Sequence, residues 1–365
     1  MIGSVRIKGY RGLNDFEMTE LGQVNLLVGR NNSGKSSVLE ALFLQASGGD
    51  PWALWQISAR RGERIEVLTG RNSDAELDLS HLFHGHELRV GARLSIRTQN
   101  MSARNLELSI EESSRNEPDL LPPETEEPPT QRLVVKFGGQ PSPAVSSLPL
   151  TSRGGLRFES IDSPRRLRRT NNERPRAQYI STESLSSAEL TAMWNEVVLT
   201  DAEERVLAAL RFLEPKIERL AATSAPRDYY YPSSSRGGFK IKLRGTDQPI
   251  PIGSLGDGIW RMLAMAISIV RAKDSILLVD EIDTGLHYSV LEDMWKLISE
   301  TASKFNVQVF ATTHSQDCVN SLATICTPSN ENRTTIQRIE ASKKKSIPFN
   351  EAEIRTAASN HIEMR

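Results

Sequence analysis

The eight residues from Gly29 to Ser36, GRNNSGKS, constrain this chain more than any other segment. They match the pattern G-x-x-x-x-G-K-[ST] in full, after the short apolar run Val24–Val28 and before apolar residues at helical spacing. The glycines let backbone N–H groups wrap phosphate oxygens, and the start of a helix adds positive potential. The segment therefore predicts a strand, a phosphate-binding loop and a helix.

This loop is the pattern that proteins use to bind ATP with Mg²⁺. Lys35 would neutralise the β- and γ-phosphate oxygens, and the Ser36 hydroxyl would ligate the Mg²⁺ ion. The other expected nucleotide-binding residues of the loop are Gly29, Asn31, Asn32, Ser33, Gly34 and Ser37.

A second segment that could take part in catalysis is Ser275–Glu281, SILLVDE. Apolar residues that end in two acids predict a buried strand that delivers both carboxylates to the edge of a sheet. Asp280 would hold Mg²⁺, directly or through water, and Glu281 would orient or deprotonate the attacking water. Together with the loop, this segment predicts nucleotide hydrolysis.

Strand and helix patterns alternate toward the C-terminus, which predicts a mainly parallel sheet covered by helices. Residues 51–180 instead show short alternating segments, typical of antiparallel strands joined by polar loops. The apolar stripe Val206, Leu210, Leu213, Ile217 and Leu220 predicts one core-facing helix. The proline-rich stretch 116–130 predicts a mobile loop.

Three further segments complete an ordered series of motifs. IGSLGDG (252–258) precedes a predicted helix, DTGLH (283–287) follows the two acids, and TTHS (312–315) follows the next strand. This order resembles ABC-type P-loop ATPases of the SMC, RecF and OLD-like group. It is most similar to the ATPase module of OLD-like proteins and to ATPase-only anti-phage defence relatives, AAA family ATP-binding proteins. The resemblance covers residues 1–46 and 241–365.

The resemblance implies that two copies meet head to tail around ATP, as a homodimer or higher homo-oligomer. Ser254, Gly256 and Gly258 of one copy would cover the nucleotide on the other. His314 would contact the γ-phosphate, and Asp283 would lie in the loop that couples the two sites. Glu281, His314 and Lys35 are therefore the expected catalytic residues, and Ser36 and Asp280 the expected metal ligands.

The motifs at both ends and the different patterns between them together predict a division of the chain. Residues 1–50 and 236–365 would form the ABC-type ATPase core, 51–180 a β-rich insertion that completes the nucleotide-binding lobe, and 181–235 a helical segment. The expected fold is an α/β ATPase sheet covered by helices, with an antiparallel β insertion. No D-x-D pair follows His314, so the metal-binding nuclease domain of OLD proteins is not expected.

Some residues depart from the family's pattern or leave alternatives open. SLGDG stands where transporters have LSGGQ, which argues against a transporter subunit. The sequence offers Gln56, Gln99 and Gln140 as the glutamine of the family's Q-loop and favours none of them. Arg11 either approaches the nucleotide or is a surface arginine.

Charge and composition limit the partners. The net charge is -1, so the whole molecule lacks the basic excess typical of nucleic-acid binding. The basic run Arg165–Arg176 would either grip DNA or an acidic partner, or be a solvated loop. His81, His84 and His86 are expected to be polar loop residues rather than metal ligands, and Tyr229–Tyr231 an edge strand rather than a stacking platform. No apolar run is long enough to span a membrane, and we expect a cytoplasmic protein.

Two functions follow from these expectations. The first is an ATP-hydrolysing regulator that controls a separately encoded effector, a nuclease or toxin, in anti-phage defence. The alternative is a RecF-like ATP-dependent DNA-binding protein of repair or recombination. A third possibility is a nucleotide-dependent scaffold with negligible turnover.

Overall fold

The computed structural model describes residues 1–65, 76–99, 104–113, 131–139, 143–157, 177–223, 238–326, 333–340 and 342–365. The chain forms two compact units. Unit 1 consists of Met1–Glu20, Asn32–Pro175 and Glu340–Ser346. Unit 2 consists of Leu21–Asn31, Arg176–Ile339 and Ile347–Arg365.

Each unit is formed by three separate segments of the chain. The strands are β1 (Ser4–Tyr10), β2 (Leu13–Met18), β3 (Val24–Val28), β4 (Arg64–Ile65), β5 (Glu76–Asp78), β6 (Arg93–Gln99), β7 (Asn105–Glu112), β8 (Gln131–Gly138), β9 (Ala144–Pro149), β10 (Gly155–Arg157), β11 (Gln178–Ile180), β12 (Ile217–Ala222), β13 (Phe239–Leu243), β14 (Ile250–Pro251), β15 (Ile276–Val279), β16 (Gln308–Thr312), β17 (Thr334–Arg338) and β18 (Ile347–Phe349). The helices are α1 (Lys35–Ala46), α2 (Pro51–Arg60), α3 (Ser187–Asn195), α4 (Glu203–Arg211), α5 (Asp257–Arg271), α6 (Leu291–Phe305), α7 (Gln316–Leu322) and α8 (Glu351–Ser359).

Unit 1 is built on an antiparallel sheet with the strand order β2-β1-β6-β7-β8-β9. Along β1, Val5 and Ile7 are buried while Arg6 and Lys8 are exposed, which is the alternation expected of a half-buried strand. Helix α1 packs on the buried face against β1, β6 and β7. The predicted antiparallel strands within residues 51–180 are therefore present.

Unit 2 is built on a sheet with the order β11-β15-β16-β3-β17-β18. All neighbours in it are parallel except β17 and β18. Strands β3, β15 and β16 are buried along their whole length, as strands covered on both faces are. The prediction of a mainly parallel sheet covered by helices is confirmed.

One predicted element is wrong, and one helix was not predicted. Residues 51–60 form α2 at the start of the region expected to be β-rich, because the Asp50 side chain caps the helix by accepting from the Trp52 N–H and Pro51 stands at a position that favours helix starts. The predicted helix from Val206 to Leu220 ends at Arg211, and Ile217 begins β12. Pro215 explains that break, since it lacks an N–H and disfavours helical geometry at Glu214.

Several predicted features lie outside the described residues. They are the loop 116–130, the basic run 165–176, Tyr229–Tyr231 and Gln140. Within the described part of the chain, no helix is long and apolar enough to cross a membrane.

Candidate functional site

The phosphate-binding loop leaves β3 at the carboxyl end of the unit 2 sheet. Strands β3, β15 and β16 are parallel neighbours, so Gly29, Asp280 and Thr313 all follow the same sheet edge. Gly29 has a φ of 143°, a backbone conformation that residues with a side chain rarely adopt. The chain passes from unit 2 to unit 1 after Asn31.

In unit 1 the loop continues into α1, which begins at Lys35. Gly34 precedes the helix with a φ of 100°, and its carbonyl accepts the first helical hydrogen bond from Val38 N at 2.9 Å. Asn32 also has a left-handed backbone, with a φ of 58°. Ser36 and Ser37 are half-buried in the first turn. The predicted change from loop to helix is therefore where the sequence pattern locates it.

The unit 1 part of the loop has the chemistry of an anion site. Lys35 is only 6% exposed, at a helix N-terminus where the dipole favours negative charge. The Ser33 hydroxyl is buried and has no hydrogen-bond partner among the described residues. Buried hydroxyls nearly always find a partner, and a phosphate oxygen would supply one here. These residues fit a nucleotide phosphate.

In unit 2, the acids Asp280 and Glu281 follow β15 directly. The Thr312 hydroxyl, at the end of β16, donates to Asp280 Oδ1 at 2.6 Å and accepts from the Glu281 N–H at 2.8 Å. Glu281 has a left-handed backbone with a φ of 48°, and its carboxylate accepts from Thr284 Oγ1 at 3.2 Å. One threonine therefore fixes both the first carboxylate and the backbone of the second acid.

The next residue, Thr313, holds the third predicted acid. Its hydroxyl donates to Asp283 Oδ1 at 2.5 Å and accepts from the Ser315 N–H at 2.9 Å. His314, between these two residues, has an exposed side chain, and its carbonyl accepts from Arg365 at 2.5 Å. The structure thus brings Asp280, Asp283 and the 312–315 segment together at one sheet edge.

The predicted signature residues lie at the start of α5 in the same unit. Ser254 is exposed in a 3₁₀ turn, Gly256 precedes the helix with a φ of 86°, and Gly258 is its second residue. A Cβ on Gly258 would lie 3.1 Å from the carbonyl oxygen of Gly285. The signature segment therefore packs directly against the loop that contains Asp283.

Arg261 is a residue of this site that no motif identifies. It is 3% exposed, and its guanidinium donates to the carbonyl oxygens of Ser181 and Asp280 at 2.6 Å each and of Glu281 at 3.0 Å. Burial lowers the pKa of Arg261 to about 10, although Asp280, Asp283 and Glu281 act in the opposite direction. The available sequence signal is one basic residue between apolar residues in the first half of α5.

Arg11 belongs to a buried charge cluster in unit 1, so the interpretation as a surface arginine is wrong. It is 5% exposed and binds Glu40, on α1, at 2.8 Å. Its guanidinium also pairs with Glu63, and Arg61 donates to Glu40 at 2.7 Å. The Tyr10 hydroxyl donates to Glu40 at 3.2 Å. The cluster anchors the helix that begins at Lys35.

The histidines of residues 81–86 make polar contacts in unit 1. His84 Nδ1 lies 2.8 Å from the Arg11 carbonyl oxygen, and His81 and His86 approach each other at 3.2 Å between their Nδ1 atoms. The described residues contain no group of three or more metal-ligating side chains that could hold a metal ion. Gln56 lies in α2 and Gln99 ends β6.

Solved structures with a similar fold include three SMC heads. An Smc head with an extended coiled coil, bound to the C-terminal domain of ScpA and derived from Pyrococcus furiosus, matches with a TM-score of 0.49, 13% identity and 99% coverage of each chain. An SmcHead bound to the C-winged helix domain of ScpA matches with a TM-score of 0.46, 15% identity, and coverage of 96% of this chain and 98% of that one. The SMC head domain from Thermotoga maritima matches with a TM-score of 0.41, 12% identity and the same coverage.

Two curated relatives match in sequence. An "ATP/GTP phosphatase" of Helicobacter pylori is 20% identical over 341 residues, 88% of this chain and 87% of that protein. An uncharacterized protein of Methanocaldococcus jannaschii is 32% identical over 121 residues, 30% of this chain. The match spans about half of the latter protein's length, 53%.

A protein-family model matches residues 24–318, from β3 to α7. This range includes the phosphate-binding loop, both acids after β15, the signature segment and His314. The match confirms the expected ABC-type P-loop ATPase. The chain belongs to the family described as "AAA domain, putative AbiEii toxin, Type IV TA system".

Proposed function

We propose that this protein hydrolyses ATP in a Mg²⁺-dependent reaction in which Glu281 activates the attacking water. The observation that carries the proposal is the pair of hydrogen bonds by which the Thr312 hydroxyl binds the Asp280 carboxylate and the Glu281 N–H. These bonds lie at the sheet edge where β3 ends and the phosphate-binding loop begins. A fixed carboxylate at the carboxyl end of parallel strands is suited to orient a water. The name of the Helicobacter pylori relative, ATP/GTP phosphatase, supports hydrolysis of the same bond class.

The residues would divide the work as the family resemblance implies. Lys35 would neutralise the β- and γ-phosphate oxygens, Glu281 would accept the proton of the attacking water, and His314 would contact the γ-phosphate. Ser36 and Asp280 would hold Mg²⁺, which neutralises charge on the phosphate oxygens. The remaining loop residues would bind the phosphates through backbone N–H groups.

We propose further that two copies assemble around ATP, with the signature segment of one copy over the nucleotide of the other. Support comes from unit 2, where Gly258 packs against Gly285 in the loop after the acids. The signature segment and the Asp283 loop would then move as one body when a second copy binds. Ser254 and the exposed Gly256 would meet the partner's γ-phosphate.

The ATP-bound assembly would control a separately encoded effector, a nuclease or toxin, in antiviral defence. The description of the matching family names a putative toxin and a Type IV TA system, which favours a multi-component system. The net charge of -1, without a basic excess, favours a protein partner over direct DNA binding. A RecF-like DNA-binding role is the alternative, and the same experiment separates the two.

The experiment is an affinity pull-down of the tagged Glu281→Gln variant from its native host, with neighbouring genes intact and ATP and Mg²⁺ present. The matched control is Lys35→Ala, which should not retain ATP. A stoichiometric second protein retained by Glu281→Gln and lost with Lys35→Ala supports effector control. DNA retained alone, and released at high salt because phosphate contacts release counterions, would replace it with the RecF-like role.

A further inference from the structure

Arg261 has an unusual set of partners for a buried arginine. Its described hydrogen bonds all go to backbone carbonyl oxygens: those of Ser181, Asp280 and Glu281. Buried arginines are ordinarily paired with a carboxylate, because an uncompensated buried charge is costly. The acids Asp280, Asp283 and Glu281 lie close enough to favour its charge, but the described hydrogen bonds of the guanidinium hold three backbone carbonyl groups. This arrangement points to a geometric task.

The three acceptors lie at the carboxyl ends of two neighbouring strands. Ser181 follows β11, and Asp280 and Glu281 follow β15, its parallel partner. Between Asp280 and Ile282 the chain turns through the left-handed Glu281, a conformation that costs free energy in a residue with a side chain. Two consecutive carbonyl groups bound by one guanidinium nitrogen, Nη2, restrain that turn, while Nη1 of the same rigid group binds Ser181.

Arg261 also connects this turn to the signature segment. It lies on α5 about one helical turn after Gly258, which contacts Gly285 at the far end of the same 280–286 segment. Thr312 restrains the opposite side of the turn. The segment that carries Asp280, Glu281 and Asp283 is thus held by α5 at both of its ends.

We propose that Arg261 is a positioning residue for hydrolysis, which holds the Asp280–Glu281 turn in its left-handed geometry and joins it to the helix of the signature segment. This inference rests on the proposed role of Glu281. Arg261 itself would touch neither nucleotide nor water and would act through the Glu281 backbone.

The test compares Arg261→Lys and Arg261→Met with Arg271→Lys. Lysine keeps the charge, but its single nitrogen cannot bind Ser181 and the Asp280–Glu281 pair as the two guanidinium nitrogens do. Methionine removes both the charge and the donors. Arg271 lies on the same helix and pairs with the exposed Glu196 at 3.1 Å, so its substitution controls for helix and residue type. Arg261→Lys remains informative if Arg261→Met does not fold.

The first readout is hydrogen exchange at the amides of Glu281 and Ile282. These amides donate to Thr312 Oγ1 at 2.8 Å and to the Thr312 carbonyl at 2.9 Å, so they should exchange slowly in the native protein. We expect Arg261→Lys to speed their exchange about tenfold or more while Arg271→Lys leaves it unchanged. Unchanged exchange in folded Arg261→Lys and Arg261→Met would overturn the inference, whether or not the protein hydrolyses ATP.

The second readout is ATP turnover with and without Glu281. We expect Arg261→Lys to lower kcat about tenfold with KM for ATP changed less than about threefold, since only the reacting geometry is lost. In a Glu281→Gln background the same substitution should change the residual rate less than about twofold. An equal loss in both backgrounds would mean that Arg261 supports the fold and does not act through Glu281. Equal turnover by wild type and Glu281→Gln would instead refute the proposed function.

Discussion

The Thr312 hydroxyl makes two hydrogen bonds at the point where β15 ends, one to the Asp280 carboxylate and one from the Glu281 backbone. Thr312→Val keeps the shape of the side chain and removes both. We expect kcat for ATP to fall about tenfold or more, and stability to fall by about 1–3 kcal/mol because the buried groups lose their partner. Phosphate release and urea unfolding measure the two effects.

The control for this substitution is Thr335→Val. Thr335 is also buried in the unit 2 sheet, and its hydroxyl donates to Asn25 Oδ1 at 2.9 Å near the opposite end of β3. It should lower stability by a similar amount and leave kcat unchanged. If both variants lose activity equally, the effect of Thr312 is one of general stability.

The Arg11 cluster is predicted to matter for stability. Arg11→Met removes the cation shared by the buried Glu40 and the partly buried Glu63, and breaking a buried ion pair costs about 3–5 kcal/mol. Because Arg61 still pairs with Glu40, we expect a loss at the low end of that range. Arg6→Met is the matched control, because Arg6 pairs with Asp15 at 2.8 Å with both side chains partly exposed. Such exposed pairs contribute little to stability. Denaturant unfolding that shows equal losses for the two variants would contradict the structural role assigned to the cluster.

Some residues of the site can be predicted from the sequence, and others cannot. The loop around Lys35 and the acids after β15 are visible because their chemistry depends on local spacing. Thr312 is visible only as part of a motif and Arg261 only as a basic residue in an apolar run, since their hydrogen bonds join separate segments of the chain. No local pattern records which carbonyl groups a distant arginine will meet.

The contact between helix α5 and the loop after β15 can be tested with one methyl group. A Cβ on Gly258 would lie 3.1 Å from the Gly285 carbonyl oxygen and 3.5 Å from Leu286, so Gly258→Ala must displace that loop by a few tenths of an ångström. In a Glu281→Gln background, we expect ATP-dependent self-association to weaken about tenfold. Sedimentation velocity with ATP and Mg²⁺ measures it.

The control is Gly12→Ala, where an added Cβ would meet no heavy atom within 4 Å. It should leave self-association unchanged. Undiminished association of the Gly258→Ala variant would show that the packing of the signature segment against this loop is not needed for assembly.

Helices and strands are predicted well where periodicity is uninterrupted and badly where a proline interrupts the backbone. Strands β3 and β15 lie close to the predicted positions, and helix α5 follows the 252–258 segment as predicted. The helix predicted from Val206 to Leu220 is wrong because the apolar spacing continues across Pro215, where the backbone changes from helix to strand. The spacing of apolar residues indicates which side chains face the core, but it does not decide whether the backbone there is a helix or a strand.

Across the whole molecule, local patterns do not reveal how strands far apart in the chain share sheets. Strands β1 and β2 belong to one sheet with β6 in unit 1, whereas β3, which follows β2 after a short connection, lies between β16 and β17 in unit 2. Strand β11 joins the unit 2 sheet beside β15. These pairings depend on tertiary packing.

ATP turnover by wild type, Glu281→Gln and Lys35→Ala, with ATP binding measured in parallel, decides whether the protein hydrolyses ATP through Glu281. We predict that wild type releases phosphate, that Glu281→Gln binds ATP but turns over at least about a hundredfold more slowly because the base is lost, and that Lys35→Ala fails to bind. Wild-type turnover no faster than that of Glu281→Gln would contradict catalysis by Glu281 and leave a nucleotide-binding protein without the proposed reaction.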